Sequence, residues 1–347
     1  MRDERNFNLL EYNTFGIDVN CRRFVEYDSV DEAQAIVRSL TEQDQPLLIL
    51  GGGSDLLLTS DYPGTVLHSA IKGIEAVEAS GDDASDSQLV CCGSGEVWDD
   101  VVAWSLSHGL YGAENLSIIP GEVGASAVQN IGAYGAEAKD LIDDVEAVEI
   151  STGNIVHFSN ADCEYSYRQS KFKHEWRDKY LITHVTYRFC KHYRPNLDYG
   201  NIRGALAEKG IASPTAEQVR DTVIEIRNAK LPDPKVQGNA GSFFMNPVVD
   251  KNVFERLRDE SSNLRYFEVP QPDGTTKYKI PAGWMIDQCG WKGKRLGKAA
   301  VHDKQALVLV NRGGASGNDI VSLMHAVQHD VQQKFGIDLQ PEVNIKP

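Results

Sequence analysis

A serine stands among small residues and aromatic rings in the segment 238–247, which reads GNAGSFFMNP. The glycines let a backbone or a ligand approach closely, and the two phenylalanines after Ser242 anchor the segment in apolar surroundings. Such an arrangement holds one hydroxyl group at a fixed point with little bulk around it. The same pattern is also typical of a turn, so the segment alone leaves open whether Ser242 is a proton donor or a turn residue.

Two glycine-rich loops could bind a ligand that contains phosphate. The loop Gly51–Asp55 follows a short apolar run, and backbone N–H groups in such a turn can bind a pyrophosphate. It lacks the Gly-Lys-Ser/Thr ending of a P-loop, and alone it is more typical of an ordinary loop. A second stretch of small residues, 118–136, could let a large flat ligand lie against the backbone. Together the two loops suit a dinucleotide, and flavin is a serious candidate.

The elements that must position these loops are helices and strands in irregular alternation. Capping or stop signals and apolar spacing predict helices that begin at Ser29, near Val97 and at Thr215, and a last helix over Ile320–Phe335 that ends at Gly336. Apolar runs predict strands at Pro46–Leu50, Val145–Ile150 and Leu307–Val310. This mixture indicates the α+β class rather than a doubly wound sheet. The polar run Ser80–Ser87 is expected to be an exposed hairpin loop, and Leu231–Pro234 the hinge to a C-terminal unit.

Composition excludes several classes of protein. A length of 347 residues allows about two or three domains, and the net charge of −15 argues against binding to nucleic acid or anionic membranes. No apolar run reaches the roughly 18 residues that span a bilayer, and the charged start is unlike a signal peptide. None of the six cysteines forms a Cys-x-x-Cys pair, and the histidines do not cluster at metal-ligand spacing. We therefore expect a cytoplasmic protein with reduced thiols and no metal.

An ordered set of motifs extends along nearly the whole chain. They are Asn13–Gly16, the loop at Gly51, Ile119–Gly135, Tyr165–Phe172, Leu231–Lys235, Gly238–Pro247, Ala282–Trp284, Gly290–Gly293, Val301–His302, Gln305–Asn311 and Pro341–Val343. With these motifs the chain resembles the UDP-N-acetylenolpyruvoylglucosamine reductases (UDP-N-acetylmuramate dehydrogenases) of peptidoglycan synthesis. The segment Pro195–Gly200 resembles the tyrosine-bearing substrate loop of one subtype.

The resemblance implies a fold, a cofactor and a reaction. The fold is an FAD-binding fold of the vanillyl-alcohol-oxidase type, with subdomains at 1–70 (joined by a returning strand at about 338–347) and 71–230, and a substrate domain at 231–337. NADPH would reduce non-covalent FAD, which would pass hydride to the enolpyruvyl ether of UDP-N-acetylglucosamine and yield UDP-N-acetylmuramate. The resemblance also implies a monomer.

The resemblance assigns roles to individual residues. Ser242 would donate the proton, and Arg168 and Glu342 would stabilise the enolate. The cofactor contacts that it implies are Gly51, Gly52, Gly53, Ser54, Asp55, Pro120, Gly121, Gly124, Ala125, Ser126, Asn130, Gly132, Ala133 and Tyr134. The implied substrate contacts are Tyr199, Lys235, Asn246, Lys292 and Gln305. The chain departs from the family pattern at Met245 and Asn344, where relatives can carry basic residues.

Two other functions remain open from the sequence. An oxidase of the same FAD fold would act on an alcohol or sugar with oxygen, and it would not need Ser242, Lys235 and Glu342 together. An inactive sensor of UDP-sugars would bind its ligand without flavin reoxidation. Retention of Ser242, Arg168 and Glu342 favours the reductase over both.

Overall fold

The computed structural model of the protein describes residues 1–78, 85–271 and 273–347. The chain forms two compact units, each made of separate segments. The first contains Met1–Phe7, Cys21–Gly53 and Tyr62–Ala229. The second contains Asn8–Asn20, Ser54–Asp61 and Lys230–Pro347.

The strands and helices alternate irregularly along the chain. The strands are β1 (Arg2–Asn8), β2 (Asn20–Tyr27), β3 (Leu47–Leu50), β4 (Leu56–Leu58), β5 (Tyr62–Ser69), β6 (Ile74–Val77), β7 (Ser87–Gly93), β8 (Gly132–Ala133), β9 (Ala136–Glu137), β10 (Ile142–Glu149), β11 (Ile155–Ser159), β12 (Tyr180–Cys190), β13 (Asn239–Ser242), β14 (Val248–Val249), β15 (Phe267–Pro270), β16 (Thr276–Lys279), β17 (Arg295–Leu296), β18 (Ala299–Val301), β19 (Val308–Asn311) and β20 (Asn344–Lys346). The α-helices are α1 (Val30–Ser39), α2 (Trp98–Ser107), α3 (Val123–Gln129), α4 (Ile202–Glu208), α5 (Ala216–Lys230), α6 (Lys251–Glu260), α7 (Ala282–Gln288) and α8 (Gly317–Phe335).

The first unit contains a four-stranded sheet of order β1-β2-β5-β3, in which β5 runs parallel to β2 and β3. Helix α1 buries Ala33, Ile36 and Val37 in one cluster with Val25 and Leu67 of this sheet. This confirms the predicted helix after Ser29 and the predicted strand before the first glycine loop.

The predicted capping box of α1 is only half correct. The Ser29 hydroxyl accepts a hydrogen bond from the Glu32 N–H at 3.3 Å, as expected. The Glu32 carboxylate, however, accepts from the N–H of Asp28 at 3.1 Å and from the N-terminal ammonium of Met1 at 2.9 Å. The nearby positive charge of the chain terminus draws this carboxylate away from the Ser29 N–H.

A second sheet in the same unit is antiparallel, with the order β11-β10-β12-β7-β6. Trp98 and Val101 of α2, Val123 and Ala127 of α3, and Val145 of β10 share its buried core. The predicted strand at Val145–Ile150 is confirmed as part of β10, and the helix predicted near Val97 is α2.

The second unit is built on a sheet of order β13-β19-β18-β17, a smaller sheet of order β14-β16-β15, and a parallel pair formed by β4 and β20. Helix α8 buries the predicted apolar stripe, which consists of Ile320, Leu323, Met324, Val327, Val331 and Phe335. Gly336 follows with a φ of 66°, a left-handed conformation that glycine adopts without steric cost and that ends the helix as expected.

Two expectations are not decided by the fold. Most of the expected hairpin loop at Ser80–Ser87 lies outside the described residues, although Ser87 begins β7. The domain borders stay predictions, although the returning C-terminal strand β20 does pair with Leu56–Leu58. No helix within the described ranges is long and apolar enough to cross a membrane.

A capping box formed by Ser316 and Asp319 begins α8, and its contribution to stability can be measured. The Ser316 hydroxyl accepts from the Asp319 N–H at 3.2 Å, and the Ser316 N–H donates to the Asp319 carboxylate at 2.8 Å. Ser316→Ala should lower the free energy of unfolding by about 1 kcal/mol, because an N–H at the helix start loses its acceptor. Urea unfolding followed by far-UV circular dichroism measures this loss.

Ser322→Ala is the matched control, because Ser322 is an exposed serine on the same helix whose hydroxyl only donates back to the Asn318 carbonyl at 2.8 Å. Alanine at that position should leave stability unchanged or slightly raised. Equal losses in the two variants would contradict the capping role.

Candidate active site

The two glycine loops contact each other within the first unit. A Cβ atom added at Gly51 would lie 3.2 Å from Cβ of Ala125, and one at Gly52 would lie 3.3 Å from Cα of Gly121. Gly53 has a φ of 61°. The first loop therefore needs its glycines both for close packing and for backbone conformation.

Backbone strain occurs in and beside the second glycine loop. Ile118, Asn130, Tyr134 and Arg168 all have positive φ values, between 46° and 58°, although none is glycine. Side chains rarely adopt this conformation, and such strain persists only where surrounding contacts impose it, often at functional sites. The strain therefore marks this loop as a candidate ligand site.

Two of the predicted cofactor residues use their side chains to shape the loop. The Ser126 hydroxyl is hydrogen-bonded to the Val123 carbonyl and, at 2.6 Å, to the hydroxyl of Tyr187. The buried Asn130 amide donates to the Ser166 carbonyl at 2.8 Å and to Glu137 at 3.0 Å. These side-chain hydrogen bonds fix the backbone of the loop.

Arg168 is bound to the second glycine loop. Its Nη2 donates to the Gly132 carbonyl at 2.6 Å, and its guanidinium carbon lies 5.2 Å from the ring centroid of Tyr167. Ser166 and Gln169 exchange two backbone hydrogen bonds of 3.0 Å around it. The predicted catalytic arginine is thus held in a fixed orientation beside the predicted cofactor residues.

Arg227 is a candidate functional residue that the sequence reasoning missed. Its Nη2 contacts the Ile118 carbonyl at 3.4 Å, and its buried Nε has no hydrogen-bond partner among the described residues. Burial lowers the pKa of Arg227, the charge of Arg168 lowers it further, and Tyr134 and Asp99 oppose the effect. The signal was present in the sequence, because Arg227 follows the buried residues Val219 and Val223 at helical spacing.

The predicted tyrosine loop lies on the second glycine loop. Tyr199 is 42% exposed, and a Cβ atom at Gly135 would lie 3.2 Å from Cβ of Tyr199. Asn115, which the sequence reasoning did not single out, is buried and joins the tyrosine loop to the second glycine loop. Its Nδ2 donates to the carbonyls of Tyr134 at 2.8 Å and Asn196 at 3.0 Å.

In the second unit, the serine segment is anchored as predicted. Phe243 and Phe244 are fully buried, whereas Ser242 is exposed at the end of β13, beside Val308 of β19. Gly241, with a φ of 66°, lies in an irregular part of the strand pairing. The backbone is fixed on both sides of the serine, so its hydroxyl is presented from a rigid position.

Glu342 comes close to this serine. The Glu342 N–H donates to the Phe243 carbonyl at 2.8 Å, and Phe244 forms an isolated β-bridge with Pro341. The structure therefore brings together the segments that carry Ser242 and Glu342, which are 100 positions apart in the chain.

The motif near the N-terminus supports the serine segment from the other side. A Cβ atom at Gly238 would lie 2.1 Å from the Phe15 carbonyl oxygen, a distance that no side chain allows. The Asn239 N–H donates to the Thr14 carbonyl at 2.9 Å, and the Thr14 hydroxyl donates back to the Asn239 carbonyl at 2.6 Å. Asn311 also donates from its side chain to the Phe15 carbonyl at 3.0 Å.

The predicted substrate contacts in the second unit differ in their surroundings. Lys235 and Lys292 are exposed. The Asn246 side chain accepts from the Ala282 N–H at 2.9 Å, and that of Gln305 accepts from the Leu307 N–H at 3.4 Å. Both amides are therefore oriented by backbone, and they remain proposed contacts.

Asn344, where the chain departs from the family pattern, has a structural role. Its side-chain amide donates to the carbonyl of Asp55 at 3.1 Å and to the Asp55 carboxylate at 3.0 Å. It therefore fixes the residue that ends the first glycine loop.

Two family models match the chain. Residues 21–159, which include both glycine loops, match the model described as an FAD binding domain. Residues 233–346 match the model described as the C-terminal domain of UDP-N-acetylenolpyruvoylglucosamine reductase. These matches confirm the expected FAD cofactor.

The chain is also similar to individual proteins over nearly its full length. It is 52% identical to a UDP-N-acetylenolpyruvoylglucosamine reductase of Bacteroides fragilis, over 98% of this chain and 99% of that protein. It is 48% identical to the protein of the same name from Pseudomonas aeruginosa, over 99% and 98%. The crystal structure of the reductase from Thermus caldophilus matches the whole of both chains with a TM-score of 0.67 at 22% identity, which supports the expected fold class.

The matched domains, the shared fold and the identity of about one half along nearly the entire length lead to one conclusion: the chain belongs to the family of UDP-N-acetylenolpyruvoylglucosamine reductases.

Proposed function

We propose that the protein reduces the enolpyruvyl ether of UDP-N-acetylglucosamine to UDP-N-acetylmuramate, a step in peptidoglycan precursor synthesis, with NADPH as the source of electrons. The observation that supports this most is the exposed Ser242 on a backbone fixed by buried aromatic rings, beside the segment of Glu342.

The reaction makes three chemical demands. Hydride must reach the terminal carbon of the double bond, negative charge must be stabilised on the carboxylate-conjugated system, and a proton must reach the adjacent carbon. FAD, when bound, supplies the hydride, which no side chain can supply. The protein must therefore bind and orient the substrate, stabilise the enolate and deliver the proton.

Ser242 is proposed to deliver the proton from its hydroxyl group. Serine is a weak acid, so the transfer depends on placement of the hydroxyl against a strongly basic carbon, and geometry comes before acidity. Phe243 and Phe244 supply that placement because they are fully buried and fix the backbone directly after the serine. Glu342 is proposed to stabilise the enolate by donating a hydrogen bond as a protonated carboxylic acid, because an ionised carboxylate has no O–H to donate.

Arg168 is proposed to stabilise the enolate by its charge. A guanidinium remains charged at physiological pH and offers several N–H donors in one plane. The bond from Nη2 to the Gly132 carbonyl orients that plane, and an orientation set before the reaction is what electrostatic stabilisation requires. Arg227 is proposed to add positive charge for an anionic ligand, because its buried Nε still lacks an acceptor among the described residues.

Tyr199, Lys235, Asn246, Lys292 and Gln305 are proposed to bind the UDP-sugar. The monomeric state and the cytoplasmic location remain predictions.

A steady-state assay tests the proposed function. NADPH oxidation by the purified yellow protein should depend on added UDP-N-acetylglucosamine enolpyruvate and should produce UDP-N-acetylmuramate in equal amount. NADPH oxidation that needs oxygen and not the nucleotide sugar would contradict the proposal and favour an oxidase.

Ser242→Ala tests the proton donor. Flavin reduction by NADPH should stay within about twofold of the unmodified protein, whereas reoxidation by the substrate should slow at least ~100-fold, the lower range for a lost proton transfer. Anaerobic stopped-flow absorbance separates the two half-reactions.

Ser322→Ala, on the exposed face of α8, is the control and should leave both half-reactions unchanged. A loss of similar size in both half-reactions of Ser242→Ala would show damage to the flavin site instead, and would refute the proposed role.

Tyr199→Ala tests the substrate loop. Loss of an aromatic contact worth about 1.4 kcal/mol should raise KM for the nucleotide sugar roughly tenfold with a smaller effect on kcat. Tyr199→Phe separates the ring from the hydroxyl, and it should retain most of the affinity if the ring makes the contact. An unchanged KM in Tyr199→Ala would remove the loop assignment.

A further inference from the structure

An acidic side chain lies against the first glycine loop. Glu122 precedes α3 in the second glycine loop, and its Oε2 would be 3.4 Å from a Cβ atom placed at Gly51. Its Cγ would lie 3.8 Å from a Cβ atom at Gly52. A carboxylate is an unexpected neighbour for a loop assigned to a diphosphate, because like charges close together disfavour binding.

His68 connects Glu122 to a second carboxylate. The His68 ring is buried, with Nε2 3.3 Å from Oε1 of Glu122 and Nδ1 2.9 Å from Oε2 of Glu26. Glu26 on β2 and His68 on β5 are direct neighbours in the sheet. Both ring nitrogens thus face carboxylate oxygens.

This geometry favours the doubly protonated ring. A neutral imidazole has one N–H donor and one lone pair, so one of the two carboxylates would face a lone pair. An imidazolium donates to both. Burial alone would lower the pKa of His68, but the hydrogen bonds and charges of Glu122 and Glu26 outweigh burial and hold its pKa above the ordinary value.

Three of the described side chains contact the ring directly. Glu26 approaches from β2, Glu122 approaches from the turn before α3, and the uncharged ring of Phe24 stacks on His68 with centroids 6.0 Å apart. The buried Tyr27 also interacts electrostatically with Glu122, and burial is the main cause of the raised pKa of Tyr27, which keeps its hydroxyl neutral. Among the groups named here, His68 alone is a cation when protonated.

We propose that His68 is a positioning residue for FAD: as an imidazolium between Glu26 and Glu122 it offsets the charge of Glu122 beside the first glycine loop and so permits the cofactor diphosphate to bind there. The inference rests on the proposed placement of FAD on the two glycine loops. It assigns to Glu26, His68 and Glu122 a role that the sequence reasoning did not see.

The affinity for FAD is the measurement. Holoenzyme is diluted in series, and the fluorescence of released FAD gives the dissociation constant between pH 6 and pH 9. His68→Gln, which removes the charge, should weaken FAD binding at least about tenfold at pH 7. In the His68→Gln, Glu122→Gln double variant the affinity should return to within about threefold of the unmodified protein, because the carboxylate that lies against the first glycine loop is gone.

The pH profile gives a second readout. His68 is protonated below its raised pKa and loses its charge as the pH rises through it. The affinity of the unmodified protein for FAD should therefore be full below that pKa and fall above it. Glu122→Gln alone should remove the fall at high pH, and this variant keeps the test valid even where His68→Gln folds poorly.

His157→Gln is the matched control. His157 on the second sheet also lies between two carboxylates, Asp144 at 2.9 Å and Glu146 at 3.8 Å, although its side chain is exposed. The variant should leave FAD affinity unchanged. Equal effects of His68→Gln and His157→Gln, or a loss in His68→Gln that Glu122→Gln does not restore, would overturn the inference. An unmodified protein that binds no FAD would instead refute the proposed function.

Discussion

The contact on which the second unit most depends is the close approach of Gly238 to the Phe15 carbonyl oxygen, which leaves no room for a side chain at residue 238. Around it, Thr14 and Asn239 exchange hydrogen bonds, and the Asn311 N–H donates to the Gly238 carbonyl at 2.8 Å. A segment near the N-terminus and a strand near the C-terminus thereby fix the backbone that leads to Ser242. The chemistry proposed for one hydroxyl group is thus a consequence of packing between distant parts of the chain.

A second constraint is electrostatic. The chain has a net charge of −15, yet FAD, NADPH and a UDP-sugar are all anionic. Positive groups near the binding sites must therefore offset the negative charge of the protein as a whole. In the first unit Arg168 and Arg227 both contact the second glycine loop, and the pKa of Arg227 is lowered mainly by burial and further by the charge of Arg168. At the first loop we propose that His68 balances the charge of Glu122. On this proposal the two loops accept an anionic ligand in two different ways.

Much of this arrangement could be predicted from local sequence, and the remainder depends on long-range packing. The stripe and terminal glycine of α8, the aromatic anchors after Ser242 and the glycine loops all carry their signals within a few residues. The bond from Asn115 to Asn196 and the contacts of His68 with Glu26 and Glu122 join residues from 42 to 81 positions apart. Even the capping box at Ser29 was altered by a distant group, the N-terminal ammonium. Arg227 is the intermediate case: its spacing from Val219 and Val223 on α5 was visible in the sequence, but its unpartnered Nε and its contact with the Ile118 carbonyl were not.

The most direct test of the central claim is the fate of the reduced flavin. The purified protein is reduced anaerobically with NADPH and then mixed with UDP-N-acetylglucosamine enolpyruvate in a stopped-flow spectrometer. The account predicts rapid return of the oxidised flavin spectrum with formation of one UDP-N-acetylmuramate per flavin. Flavin that stays reduced with this substrate, and is reoxidised only when oxygen is admitted, would contradict the account.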